Sequence, residues 1–299
     1  MTTAPLCELE YENILQQLQE IGQLQRIVNH PAFSRERLHE ILTTLAPVNQ
    51  FYQEMGGIVG YHRKILSLME KKEALLNASY HSPSFIDIRQ SDKQTLQAVQ
   101  WGIEALPFMA EMIPLGGSAD RLHLTDEKTG NELPAAKLIF AGKSLLERII
   151  DDIYARELIY FQKYGRKIVT PIAMMTSLEK KNHFHIEEML EKQHFFGRPR
   201  ESIRTFTQPL VPVVNEKGEW LLTDDLKLVL KPGGHGAIWK LAIQSGIFSW
   251  FQSLNKSKIL VRQINNPIAG LDYGLLAFLG IGYKKNKKFG FASCPRLLK

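Results

Sequence analysis

The sequence is poor in cysteine, has no long apolar run and carries fewer acids than bases, and each shortage removes a class of protein. Its two cysteines, Cys7 and Cys294, stand near opposite ends of 299 residues and form neither a disulfide framework nor a metal-ligand spacing. A reducing compartment, the cytoplasm, is expected. The longest nearly uncharged stretch, Ile264 to Tyr283, is interrupted by Asn265, Asn266, Pro267 and Asp272. Too little apolar length is left to span a bilayer. Met1 to Glu10 has neither the basic nor the apolar region of a secretory signal. No membrane partner is expected. The balance of 37 basic and 31 acidic residues, a net charge of +6, favours anionic ligands. Much of that excess sits in Lys284, Lys285, Lys287 and Lys288, which read as a solvated loop. With no interleaved aromatic platform and no helix-turn-helix or RNA-binding signature, nucleic acid is not an expected partner.

What is present is an ordinary globular composition, 44% hydrophobic, in a length that suits one large α/β domain with an appendage. The apolar positions Ile14, Leu18, Ile21 and Val28 recur at helical spacing from Tyr11 to Val28. Pro31 stops that helix. A second follows Ser34 through Leu38, Ile41, Leu42 and Leu45, and a third surrounds Ile65, Leu68, Met69, Leu75 and Leu76. Residues 1 to about 105 are therefore expected to form a helical N-terminal region, with residues 106 to 299 as the second part of the chain. Ser91 and Gln94 have capping-box spacing ahead of a helix through Leu96, Val99 and Ile103.

From there strand and helix alternate. Met109 to Leu115 reads as a buried strand ending in Gly116-Gly117, where backbone without side chains lets a phosphate approach closely. Ser144 and Glu147 give another capping box, heading a helix through Ile149, Ile150 and Ile153. Ile168 to Met175 reads as a strand, Ile186 to Leu190 as helix and Ile203 to Gln208 as a strand. A hairpin is expected around Glu216-Lys217-Gly218, helix near Ala237 to Ile243, a strand at Ile259 to Ile264 and helix near Leu271 to Leu279. The alternation predicts an α/β fold with a mostly parallel sheet, and ligands in such sheets sit at the carboxyl ends of the strands.

Two familiar phosphate motifs fail on spacing. Gly142-Lys143-Ser144 resembles the end of a P-loop, but the first glycine of that motif would fall on Lys137. Gly234-His235-Gly236 begins like a dinucleotide fingerprint, yet Trp239 stands at the third glycine. His183, His185 and Glu187 suggest a metal only weakly, because residues two apart on a helix face different ways and leave at best a His183/Glu187 pair.

Four segments read together resemble the ordered motifs of the UDP-sugar pyrophosphorylase (UTP-glucose-1-phosphate uridylyltransferase) family, nearest to its plastid-type UDP-glucose members. They are Pro114 to Leu122, Ala173 to Ser177, Phe206 to Pro209 with Val211-Pro212, and Lys231 to Trp239, joined by Leu133 to Ala136 and Gly290 to Cys294. The resemblance covers roughly residues 105 to 299. It implies a Rossmann-like nucleotidyltransferase domain that converts UTP and glucose 1-phosphate into UDP-glucose and pyrophosphate with Mg²⁺. By position, the backbone of Leu115, Gly116 and Gly117 would hold the nucleotide, Gln208 and Gly234 the uracil edge, His235 the sugar-phosphate side and Arg121 the triphosphate. These residue types suit those tasks, since an amide can pair with an imide and cations stabilise charge during attack at the α-phosphorus.

Two positions depart from the family pattern. Ala135 stands where the resemblance places a catalytic lysine, and Lys137, two residues later, is the candidate to replace it. Asn265 stands where a metal-binding aspartate is expected, which passes part of that task to Asp272 or to phosphate oxygens. The resemblance also implies that the chain stops short of the C-terminal part of the sheet. The alternative function is therefore a non-catalytic nucleotide-sugar-binding protein or a truncated relative.

Overall fold

The computed structural model describes residues 8–70, 85–117, 124–264 and 273–293. Contacts divide the chain into two compact units, Met1–Pro83 with Pro209–Gly233, and Ser84–Gln208 with Gly234–Lys299. This differs from a boundary near residue 105 in two ways. The helix that ends at Ala105 packs within the second unit, and residues 209–233 leave that unit to complete the core of the first.

The first unit opens with helix α1 (Glu8–Glu20) and α2 (Gln23–Val28). The single helix expected across Tyr11 to Val28 is split at Gly22, whose φ of 71° lies in the left-handed region that glycine enters without steric cost. Helix α3 (Arg35–Phe51) is capped as expected, with Ser34 Oγ accepting from the Arg37 amide at 3.2 Å, and α4 spans Gly57–Glu70. Leu75 and Leu76 lie outside the described residues. The expected hairpin forms, with Val214 and Trp220 bridged antiparallel and Gly218 at φ 81° in its turn. Trp220 anchors the unit's core among Ile14, Leu18, Ile41, Leu42, Leu45 and Ile58. Its amide donates to Gln23 Oε1 and its indole Nε1 to His62 Nδ1, both at 3.2 Å. Both N–H groups of the buried Trp220 are therefore paired.

The second unit carries a parallel four-stranded sheet formed by β1 (Met109–Pro114), β2 (Ile172–Ser177), β3 (Ile203–Gln208) and β4 (Lys258–Val261), in spatial order β3-β2-β1-β4. This is the α/β class read from the sequence. All residues of β1 and β2 are buried, as central strands of a parallel sheet should be. Strand β2 starts at Ile172 rather than Ile168. The Thr170 backbone is drawn off by side chains instead, its N–H to Glu157 Oε1 at 2.6 Å and its carbonyl to Arg198 at 2.8 Å.

Helix α5 (Lys93–Ala105) leads into β1. Its cap is Asp92, whose carboxylate accepts from the Thr95 amide at 2.7 Å, one position after the expected Ser91. A carboxylate at a helix N-terminus also meets the positive end of the helix dipole, an advantage a serine lacks. Helix α6 (Leu145–Tyr164) is capped by Ser144 as expected, and α7 (Asn182–Lys192), α8 (Ala237–Gln244), α9 (Ile247–Ser253) and α10 (Gly274–Lys284) complete the unit. Helices α5 and α10 pack closely through Gly102 and Gly280, where an added Cβ would lie 2.0 Å from the opposing backbone carbonyl. Helices α6 and α7 close over the sheet through Leu146, Ile149, Ile153, Ile186 and Leu190, which cluster with Ile113, Ile172, Met174 and Ile203. Residues 139–144 form a tight hairpin with Gly142 at φ 80°, which accounts for the glycine of the P-loop-like triplet.

Among the described residues no helix is long and apolar enough to cross a membrane.

Candidate nucleotide site

The sheet delivers its strand ends to one edge, and there Leu115, Gly116, Gly117, Gln208, Gly234 and His235 come together. Strand β1 runs into Leu115, whose amide donates to Met175 O at 2.7 Å, so the chain stays paired with β2 up to the glycines. Gly116 is packed so tightly that an added Cβ would lie 2.7 Å from the Thr176 carbonyl carbon and 2.3 Å from Gln208 Nε2. Gly117 is different. Among the described residues, a Cβ there would meet His235 Nε2 alone, at 4.0 Å. One glycine is thus required by the fold, and among the described residues the next borders open space.

Gln208, at the end of β3, is 3% exposed. Its Nε2 donates to Gly116 O at 2.8 Å and its Oε1 accepts from the Gly234 amide at 3.0 Å. The side chain therefore ties the two glycine segments that the sequence singled out. A primary amide has two donors and two acceptor lone pairs, so one of each remains for a ligand. Gly234 has a φ of 96°, a conformation that favours glycine, and it leads through exposed His235 into α8. His235 Nδ1 lies 3.4 Å from Gln263 Nε2, and its Nε2 is the atom beside Gly117.

The helix that follows β2 supplies residues that sequence reasoning passed over. Asn182 opens α7, with Oδ1 accepting from the Ser177 amide at 3.0 Å and Nδ2 donating to Leu115 O at 2.9 Å. Thr176 Oγ1 donates to Phe206 O at 3.3 Å and lies 3.0 Å from His183 Nδ1. Glu187 accepts from Thr205 at 2.6 Å. The His183/Glu187 pair is thus engaged with the sheet, and no group of three metal-ligating side chains occurs among the described residues.

Lys137 follows buried Ala135 and Ala136 in a short helical turn. Its ammonium lies 2.9 Å from His185 Nδ1 and 3.3 Å from Glu188 Oε2, both on α7. Burial pushes the His185 pKa down and the neighbouring ammonium pushes the same way, so the ring is neutral and accepts from Lys137. Hydrogen bonds from Lys192 and Lys137 hold the Glu188 carboxyl down at about 2. Arg121, Asn265 and Asp272 lie outside the described residues.

Beneath this edge β1 carries a buried charge. Glu111 is 1% exposed and binds Arg156 of α6 and Arg262, which follows β4, while Asp152 accepts from both arginines. Burial alone would raise the Glu111 pKa, but the two guanidinium groups outweigh it and hold the carboxyl below its usual range.

The family model described as UTP--glucose-1-phosphate uridylyltransferase matches residues 141–292, half of the chain. The chain belongs to this family. It is 45% identical over 273 residues to the Arabidopsis thaliana protein named UTP--glucose-1-phosphate uridylyltransferase 3, chloroplastic, covering 86% of this chain and 31% of that protein. It is 22% identical to a UDP-sugar pyrophosphorylase of Oryza sativa subsp. indica, over 90% of this chain and 44% of that one. This chain therefore spans less than half the length of either relative. Among solved structures, the uridine diphosphate N-acetylglucosamine pyrophosphorylase of Trypanosoma brucei aligns with a TM-score of 0.67 at 20% identity, over 93% of this chain and 55% of that one. That likeness supports the nucleotidyltransferase-like fold.

Proposed function

We propose that this chain binds UTP and glucose 1-phosphate and takes part in forming UDP-glucose and pyrophosphate. The observation that carries the reading is Gln208, buried at the end of β3 and bonded at once to Gly116 O and Gly234 N–H. It joins two segments that the family resemblance assigns to the nucleotide, and it keeps a donor and an acceptor for an imide edge. In this reading the uracil lies against Gln208 and Gly234, and the phosphates follow the backbone of Leu115, Gly116 and Gly117. The sugar phosphate lies on the His235 side. Arg121 and Lys137 supply positive charge to the phosphates, where charge develops as the sugar phosphate attacks the α-phosphorus in line. Glucose as the sugar is supported by the name of the Arabidopsis relative.

Magnesium belongs to this proposal through the resemblance alone. The two residues assigned to it, Asn265 and Asp272, are outside the described residues. A cytoplasmic location is likewise proposed on the two widely separated cysteines, while the Arabidopsis relative is named as chloroplastic.

One observation favours a second reading, a nucleotide-sugar binder without chemistry. Ala135, at the position where the resemblance puts a lysine, has no charged side chain, and it is packed in the core cluster at 8% exposure. Pyrophosphate release with UTP and a panel of sugar 1-phosphates tests the two. Release that is fastest with glucose 1-phosphate supports the transferase. UDP-glucose binding with no release supports the binder.

A further inference from the structure

The peptide groups of the glycine loop are aimed by side chains from elsewhere in the sheet. A peptide group is planar and trans, so fixing the carbonyl of one residue fixes the N–H of the next in the opposite direction. Gln208 holds Gly116 O at 2.8 Å and thereby sets the direction of the Gly117 N–H. Asn182 holds Leu115 O at 2.9 Å and sets that of the Gly116 N–H. We propose that Asn182 is a positioning residue for the nucleotide loop, acting through Leu115 O to aim the Gly116 amide at the ligand. The inference rests on the reading of residues 115–117 as the nucleotide site.

Two further features fit a positioning task. Asn182 is 3% exposed, and both ends of its amide are used, so its rotamer is fixed by bonds to Leu115, just after β1, on one side and to the end of β2 on the other. The turn that brings it there is strained. Lys180 and Lys181 lie consecutively in the left-handed region, at φ 48° and 54°, a conformation that side-chain-bearing residues rarely adopt. A backbone that only had to connect β2 to α7 has easier routes. This one places an amide between Ser177 N–H and Leu115 O.

The chemistry of the two contacts separates positioning from simple packing. Asn182→Asp keeps an oxygen to accept from Ser177 N–H but has no proton to give Leu115 O. Asn182→Ala loses both bonds without burying a charge, and it decides the matter should the aspartate variant fail to fold. Gly117→Val tests the site itself, since that residue borders open space among the described residues. The measurement is calorimetric titration of the full chain with UDP-glucose, with circular dichroism to confirm folding. The proposal expects Gly117→Val to abolish binding, and Asn182→Asp and Asn182→Ala each to weaken it by roughly tenfold while folded. Wild-type affinity in folded Asn182→Asp would overturn the proposal, because the asparagine would then serve only Ser177. If both Asn182 variants bind normally while Gly117→Val does not, the loop is the site and Asn182 does not aim it. Normal binding by Gly117→Val would overturn the reading of the loop itself, and the proposal with it.

Discussion

Arg262 Nε donates to Glu111 Oε2 at 3.0 Å, joining the segment after β4 to the middle of β1 inside the second unit. The two residues are 151 positions apart in sequence, and Arg156, 45 positions from Glu111, closes the cluster from α6. Removing one partner of a buried ion cluster leaves the others uncompensated, which costs far more than the cluster contributes over an apolar replacement. Glu111→Gln should therefore destabilise the protein by about 3 to 5 kcal/mol at pH 7. Urea unfolding of the second unit measures it, and a change within error of zero would mean that the arginines find water or other partners.

The same cluster sets an acid dependence. The Glu111 carboxyl lies below its ordinary value of 4.5 in the fold. Its stabilising contribution is thus complete above about pH 4.5 and is lost as pH falls through the folded value. Between pH 5 and pH 2 the wild type should lose stability more steeply than Glu111→Gln. Parallel slopes would place the titration on other carboxylates.

A second titration belongs to the first unit. Burial holds the His62 pKa below its ordinary 6.5, and Nδ1 is the acceptor for the Trp220 indole. The neutral ring is favoured in the fold, so this contribution is complete above about pH 6.5 and fades as pH falls through the lowered value. His62→Phe should remove that acid sensitivity and also cost about 1 to 3 kcal/mol, because the indole N–H is left buried and unpaired. Tryptophan fluorescence across pH 7.5 to 4.5 reads both effects.

The two adjacent glycines should respond oppositely to a methyl group. Gly116→Ala forces a Cβ against the Thr176 backbone and Gln208, and overpacking of that kind costs about 1 to 3 kcal/mol. Gly117→Ala meets His235 Nε2 at 4.0 Å, an ordinary contact, and should melt like the wild type. Thermal unfolding of the pair distinguishes them, and equal melting temperatures would contradict the difference in packing.

These positions also mark what the sequence can and cannot say. Strand β3 was legible to the residue, from Ile203 to Gln208, because a short run rich in β-branched and aromatic residues is bounded by Pro199 and Pro209. The Ser144 cap was legible because its signal is local. Asp92 was missed by one position, since Ser91 has the same short-range chemistry and only the observed bond to Thr95 decides between them. Gln208 and Gly234 came from the family resemblance, and the structure brings them together at 3.0 Å. Asn182 gave no signal. An asparagine after two lysines reads as a loop residue, and its partner Leu115 O is 67 positions away. The assignment of residues 209–233 to the helical unit was equally hidden, because Trp220 finds its core partners nearly two hundred residues earlier.

The central claim is that the edge formed by Leu115, Gly116, Gly117, Gln208 and Gly234 selects a uridine nucleotide, and the direct measurement is calorimetric titration of the full chain with UTP and with ATP. A base that cannot use the donor and acceptor left on the buried Gln208 amide should lose about 1 to 3 kcal/mol, so UTP should bind some 5 to 150 times more tightly than ATP. Equal affinity for the two nucleotides would contradict the account.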